Sequence, residues 1–326
     1  ADLDSDGALD VVSCCEGRTK KVFVHWAPDN REQILTPQAW KQDVLADPEN
    51  GAQQWMFAWP MQIDGENGVD LVAGSKGKNA QIGWFQAPKG GRDLSAYRWH
   101  PMSAAGWVMS IWKQDMDGDG DSDLVVSDRR GPLRGCRWLE NPGIGSVQTR
   151  PWNNHFMGAQ DKEVLSMALG DLDEDGLQDA VVAVKDMKIL FLKRLDRAGL
   201  KWHTYVISAD FSAGNTRAVV VADVDNDKQP DLVFTTWNAK GRHGVLWLEY
   251  GRTPSEHLWT PHQISGAERG VKYDRIEMLD LDGDGDLDLL TCEEREGGRG
   301  MGVFWYENPF GKRQQSAPAD TGKPRR

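Results

Sequence analysis

Residues 115–123 read DMDGDGDSD, and the same frame, D-x-D-x-D-G-x-x-D, returns along the chain. It stands at 2–10 (DLDSDGALD), 171–179 (DLDEDGLQD), 223–231 (DVDNDKQPD) and 280–288 (DLDGDGDLD), with a worn copy at 62–70 (QIDGENGVD). The six starts lie 52 to 60 residues apart. A repeat of this length is one supersecondary unit that cannot bury its apolar face alone and must stack on its neighbours.

Each copy carries the same flanks in the same order. A short strand precedes the acidic loop, as at 164–169 (VLSMAL), and an apolar strand follows it, as at 124–126 (LVV) and 180–184 (AVVAV). A third strand ends in a W-x-E-N-P-like phrase, at Trp84–Pro88, Trp138–Pro142, Trp247–Glu249 and Trp305–Pro309. A fourth reads aromatic-x-x-polar-x-aliphatic, as in Tyr97/His100/Met102, Trp152/His155/Met157 and Trp259/His262/Ile264. Four short strands per radial repeat give an all-β fold, a β-propeller with six visible four-stranded blades. The first copy begins at its acidic loop and the sixth stops after its third strand, so the first and last blades are incomplete. The missing pieces, a fourth strand and then a first, are consecutive in the repeat, and an N-terminal segment supplying that pair would close the ring and cover its open sheet edges. The chain opens without Met or an apolar leader, as a processed or truncated N-terminus would, and a longer parent with one further blade would have seven. The repeats run approximately over 1–50, 51–104, 105–158, 159–208, 209–265 and 266–309, within one propeller spanning 1–309. The tail 310–326 is nearly free of apolar residues and is expected to be disordered.

The acidic loops and the W-x-E-N-P and W-x-x-H-x-I phrases resemble the FG-GAP/VCBS repeat propellers of extracellular bacterial proteins, and the integrin α-subunit head uses a related calcium-loop blade. Stretches such as WFQAP, RWLENP and KYDRIEMLDLDGDGDLD also look like the propeller part of aldos-2-ulose dehydratase-type proteins.

Carboxylates at positions 1, 3, 5 and 9 of a tight loop repel one another unless a cation sits among them. Calcium, with six to eight oxygen ligands in flexible geometry, suits such a loop, and no helix signal flanks it to make an EF-hand. The expected ligands are Asp2, Asp4, Asp6 and Asp10; Asp115, Asp117, Asp119 and Asp123; Asp171, Asp173, Asp175 and Asp179; Asp223, Asp225, Asp227 and Asp231; and Asp280, Asp282, Asp284 and Asp288. The formal charge of −12 would become −2 with five structural Ca²⁺ ions bound. The second loop offers only Asp64, Glu66 and Asp70, a weak or empty site. Lys228 stands where Gly belongs in the fifth and is expected to strain its turn. Modest-affinity sites need millimolar calcium, which points to an extracellular or periplasmic location.

Asp+Glu outnumber Lys+Arg by 50 to 38, against nucleic acid as a partner, and no apolar run is long enough for a membrane span. The sequence has no nucleophile elbow, P-loop, dinucleotide fingerprint or zinc-type Cys/His spacing.

Residues that break the repeat pattern collect in the loops at the opposite end of the strands. Trp237, Asn238, Lys76, Asp128, Glu293, Glu294, Arg295 and Trp107 form a candidate ligand-binding set. His243 or Tyr273 as the base, with Arg129, Arg134, Lys272 and Arg275 as cations for an enolate, form a candidate catalytic set. Two functions compete. One is a binding or scaffold module for carbohydrate, especially acidic carbohydrate, or for an extracellular protein. The other is a carbon–oxygen lyase acting on sugars. Convergence of His243, Tyr273 and two Arg on one pocket would favour the enzyme, and a broad open surface would favour binding.

Overall fold

A computed structural model describes residues 1–90, 92–208, 212–295 and 298–310. Most of the tail expected to be disordered, residues 311–326, lies outside the described residues. The fold is all-β, with six antiparallel sheets of three or four strands forming the blades of a six-bladed β-propeller. Blade one has β1 (Val11–Cys14), β2 (Val22–Trp26) and β3 (Lys41–Val44). Blade two has β4 (Gln54–Pro60), β5 (Leu71–Lys76), β6 (Gln81–Gln86) and β7 (Arg98–Ala104). Blade three has β8 (Val108–Gln114), β9 (Asp123–Asp128), β10 (Gly135–Glu140) and β11 (Asn153–Gly158). Blade four has β12 (Val164–Gly170), β13 (Asp179–Val184), β14 (Lys188–Arg194) and β15 (Trp202–Ile207). Blade five has β16 (Asn215–Ala222), β17 (Asp231–Trp237), β18 (Val245–Glu249) and β19 (Thr260–Gln263), and blade six has β20 (Tyr273–Leu279), β21 (Asp288–Glu293) and β22 (Gly302–Tyr306). Among the described residues, blade one lacks the first strand of the repeat and blade six the fourth. No helix among them is long and apolar enough to cross a membrane.

Two compact units divide the chain. One comprises Ala1–Val164 with Leu195–Trp202 and so holds blades one to three; the other comprises Leu165–Arg194 and the chain from His203 onward and so holds blades four to six. In blades two to six the second strand of the repeat is the most buried, because its continuous apolar run has both faces covered; every residue of β9 and of β13 is buried, whereas β1 of blade one has no buried residue.

The repeated phrases explain one another as cross-strand partners. Trp138 on β10 lies opposite His155 on β11, their rings stacked at 4.3 Å, and His155 Nε2 meets Glu140 Oε2 at 2.7 Å. Trp247 and His262 repeat this at 4.0 Å, with Glu249 3.1 Å from the imidazole. Trp84 and His100 do so at 4.9 Å, with Gln86 in place of the glutamate. W-x-E and W-x-x-H are thus two halves of one contact on the face of an antiparallel pair, where stacked rings stabilise the pairing. Burying an indole such as Trp84 or Trp138 contributes on the order of 3 kcal/mol to the blade.

Candidate functional site

All six acidic loops join the first strand of the repeat to the second, or stand where that junction falls, and share one conformation. Positions four and six have positive φ in each, including Glu174 (57°) and Lys228 (75°) as well as glycines such as Gly120 (94°). The first aspartate accepts the amides that this turn points inward. Asp171 takes Asp175 N–H at 3.0 Å and Gly176 N–H at 2.8 Å, and Asp223 takes Asp227 N–H at 3.1 Å and Lys228 N–H at 3.0 Å.

The ninth position is built differently. Asp123 is buried and accepts Met116 N–H at 2.7 Å on one oxygen and Asn141 N–H at 2.8 Å on the other, clamping the loop to the end of the third strand. Asp10, Asp70, Asp179 and Asp288 make the same two bonds, and Asp231 makes the loop bond to Val224 N–H. Burial pushes Asp123, Asp179 and Asp231 up to about 7 and Asp70 up to about 6.

Three carboxylates converge in each well-formed loop, with oxygens within 4.8 Å of one another: Asp2, Asp4 and Asp6; Asp115, Asp117 and Asp123; Asp171, Asp173 and Asp179; Asp223, Asp225 and Asp231; Asp280, Asp282 and Asp288. Asp10, Asp119, Asp175, Asp227 and Asp284 fall outside these groups: in the first loop the fifth-position Asp6 joins in place of the clamp Asp10, and in the other four the clamp joins in place of the fifth-position aspartate. Asp173 Oδ1, a member of one group, and Asp284 Oδ2, which belongs to none, are buried without a hydrogen-bond partner among the described residues. Such clusters, one with a carboxylate oxygen left unpaired inside it, could hold cations. No such group forms at Asp64, Glu66 and Asp70 among the described residues; Gln62 there takes the place of the first aspartate and accepts Asp64 and Gly65 N–H.

The loops are not equivalent. The residue two positions after the third-strand tryptophan overlooks the loop: Glu140, Glu249 and Glu307 each add like charge beside Asp117, Asp225 and Asp282, whose acidity burial has already weakened. In blade four that position is Lys193, whose ammonium pairs with Asp173 and lies 3.3 Å from Asp175. In blade one Arg92 pairs with Asp4 and lies 3.3 Å from Asp6. Neither cation was singled out from the sequence. Lys193 was visible as a departure from W-x-E, whereas Arg92 arrives from outside the repeat frame.

At the other end of the strands, unit one carries a connected row of side chains. Lys76 pairs with Glu16 and stands 4.6 Å from the Trp107 ring centre; Arg129 stands 4.6 Å and Arg130 5.0 Å from the same ring. Glu163 holds Arg129 at 2.9 Å and Arg130 at 3.8 Å. The indole N–H of Trp107 is buried without a partner among the described residues. Three cations around one ring, with two carboxylates beside them, leave this patch a net positive charge. Arg134 lies apart, its guanidinium donating to Gln160 O at 2.6 Å.

Two members of the candidate ligand set are corrected by their burial. Asp128 accepts Gly106 and Trp107 N–H and faces Arg137 Nη1 at 3.5 Å, both side chains fully buried. Glu293 accepts Val271 and Met301 N–H, holding the corresponding turn in blade six. Both serve as internal clamps. Arg137, which also reaches Asn154, Leu133 O and Ala104 O, was overlooked although it fills a slot where the other copies carry Phe23, Gly83, Leu190, Leu246 or Phe304.

In unit two the catalytic set does not converge. Tyr273 is fully buried, its ring against Gly244 and Gly270 and its hydroxyl donating to Arg269 O at 3.0 Å; burial raises its pKa. The reading of Tyr273 as an accessible base is therefore corrected. His243 donates its backbone N–H to Ser212 O, and its Nδ1 is buried without a partner among the described residues. Lys272 pairs with Glu294, and Arg275 is exposed, paired with Glu277 at 3.1 Å. Trp237 and Lys272 meet through a backbone bridge, Asn238 takes a left-handed φ of 58°, and Arg295 is exposed. A cavity of about 420 Å³ in this unit is lined by Val224, Trp247, Ile264, Leu289, Tyr306 and their neighbours; none of His243, Tyr273, Lys272 or Arg275 borders it.

Compared with known families, the chain matches the FG-GAP-like repeat over residues 115–182 and again over 171–234, windows that contain the loops starting at Asp115, Asp171 and Asp223. Comparison with curated proteins returned no match.

Proposed function

With FG-GAP-like repeats on a six-bladed β-propeller as the premise, a fold that supports a binding or scaffold role in general, we propose that this protein is a calcium-stabilised binding module for acidic carbohydrate that works outside the cytoplasm. The observation that carries the ligand assignment is Trp107 with Lys76, Arg129 and Arg130 at 4.6 to 5.0 Å from its ring. An indole face packs against a sugar ring, and the Arg130 guanidinium, half-exposed and 3.8 Å from Glu163, has N–H groups on its open side to offer a ligand carboxylate. Glu16 and Glu163 fix the orientation of Lys76 and Arg129 so that little ordering remains to be done on binding.

In this reading the five carboxylate groups hold Ca²⁺, with Asp115, Asp117 and Asp123 as the type example and a backbone oxygen or water completing each shell. The ion contributes stability by binding the folded loop alone. The lyase reading finds no support in the geometry, since Tyr273 is enclosed and Lys272 and Arg275 pair with separate carboxylates, Glu294 and Glu277.

Titration calorimetry with a uronic-acid oligosaccharide and a neutral one of equal length tests the assignment. The expected result is salt-sensitive binding of the acidic sugar, reduced at least tenfold in both Trp107→Ala and Arg130→Ala. Equal affinity for both sugars, or binding unchanged in the two variants, would overturn it.

A further inference from the structure

The Trp107 surface is assembled from two segments that are not consecutive in the chain. Trp107 lies in the turn that leads from β7 into β8, and Arg129 and Arg130 lie in the turn between β9 and β10. The two turns touch through their backbones. Arg130 O leaves no room for a side chain at Gly106, and Arg129 N–H bonds Trp107 O at 2.8 Å. Turns at the end of a sheet are ordinarily its looser parts, so a receptor built on them needs support from beneath.

That support is a buried ion pair. The side chains of Asp128 and Arg137 are fully buried, with Arg137 Nη1 3.5 Å from Asp128 Oδ2. Asp128 accepts backbone N–H groups from both turns: Trp107 at 2.7 Å, Gly106 at 3.0 Å and Arg130 at 3.4 Å. Arg137 donates to carbonyls of the same two segments. It reaches Ala104 O at 3.1 Å, just before the first turn, and Leu133 O at 2.6 Å, at the end of the second. Its Nε donates to Asn154 Oδ1 at 2.8 Å, which fixes the guanidinium from the fourth strand of the blade. The carboxylate thus collects the donors and the guanidinium the acceptors, a task suited to a planar fork with five N–H groups.

The blade does not need this pair in order to form. At the two equivalent positions blade four carries Val184 and Leu190, blade five carries Thr236 and Leu246, and both blades have all four strands. Blade six keeps a carboxylate, Glu293, on its turn but has Phe304 in the place of the arginine, with no donor to offer the carbonyls. Burying two charges is costly, and an apolar pair of similar size often serves stability as well or better. The two charges occur together only in blade three, the blade that sets Arg129 and Arg130 beside Trp107.

We propose that the Arg137–Asp128 pair is a positioning element for ligand binding. It holds Trp107, Arg129 and Arg130 as one preorganised surface, a role that rests on the acidic-carbohydrate reading of that surface. Neither residue touches the ligand. Fixing the indole and the two guanidinium groups beforehand lowers the ordering cost of binding and so raises affinity.

The test gives the full chain the blade-four pair, Asp128→Val with Arg137→Leu. Amide exchange without ligand should speed up at least tenfold over residues 104–108 and 129–134 and stay unchanged over β13. Affinity for the uronic-acid oligosaccharide should fall at least tenfold by titration calorimetry. Leu139→Ala, which opens a cavity in the same blade, should lower the melting temperature and leave both readouts at the parent's values. Should the double variant fail to fold, Arg137→Lys takes its place. It keeps the charge, cannot span Ala104 O and Leu133 O together, and should move both readouts in the same direction. Unchanged exchange in the two turns, faster exchange with undiminished affinity, or an equal effect of Leu139→Ala would overturn the positioning role alone. A parent chain that binds no acidic sugar would overturn the ligand reading and the role in affinity together.

Discussion

Asp70 holds the amide of Ala87 at 2.7 Å, and it does so in the one acidic loop that gathers no cation-sized carboxylate group among the described residues. The ninth-position aspartate is therefore a strand clamp in its own right, whatever else its oxygens approach. Asp70→Ala leaves two buried amides, of Ile63 and Ala87, without partners and should cost about 3 kcal/mol. Urea unfolding should give the same loss with calcium and with EDTA. A loss seen only with calcium would make Asp70 a metal ligand instead.

Burial sets a pH dependence that calcium should abolish. Asp123, Asp179 and Asp231 sit near 7 in the cation-free fold, against roughly 3.9 in an unfolded chain. A carboxyl raised in the folded state stabilises the fold when protonated, and that contribution is lost as pH rises from about 4 through about 7. In EDTA the melting temperature should therefore fall between pH 5 and pH 8, and in excess calcium this fall should vanish. Scanning calorimetry at the two pH values checks both arms.

Lys228 carries a φ of 75° at the loop position where four of the other copies have Gly. Lys228→Gly relieves a left-handed side-chain clash of about 1 kcal/mol and keeps the bond from its amide to Asp223. The variant should melt higher than the parent; a lower melting temperature would show that the lysine side chain contributes more than its backbone costs.

Lys193 competes for the carboxylates of its own loop. Lys193→Glu restores the residue type found at Glu140, Glu249 and Glu307 and removes the ion pair to Asp173. Calcium titration should then show one of the five sites binding more tightly than in the parent, and an unchanged isotherm would mean that the lysine does not contest the loop.

The blades were legible because the repeat states them six times over: a loop frame of fixed length, then an apolar run, then two phrases that meet across one strand pair. The clamp role of the ninth aspartate was not, since a carboxylate that takes two backbone amides and one that approaches a cation are the same letter in the same frame. Asp128 and Glu293 look like ligands for a related reason. They lie in loop-like text full of charge, and it is the fold that turns their oxygens inward onto the turns at Gly106–Trp107 and Val271. Tyr273 misled similarly: an aromatic at a strand start is equally a base or a wedge, and the close approach of Gly244 and Gly270 to its ring makes it a wedge. Trp107 was found, yet the row linking Glu16, Lys76, Arg129 and Glu163 through it was not, because its members come from four different repeats.

Metal content measured after equilibrium dialysis against millimolar calcium, with the melting temperature of the same sample before and after EDTA, tests the central claim most directly. The account predicts calcium in all five three-carboxylate groups and a marked drop in melting temperature on chelation. A protein that retains no calcium and melts identically in EDTA would contradict it.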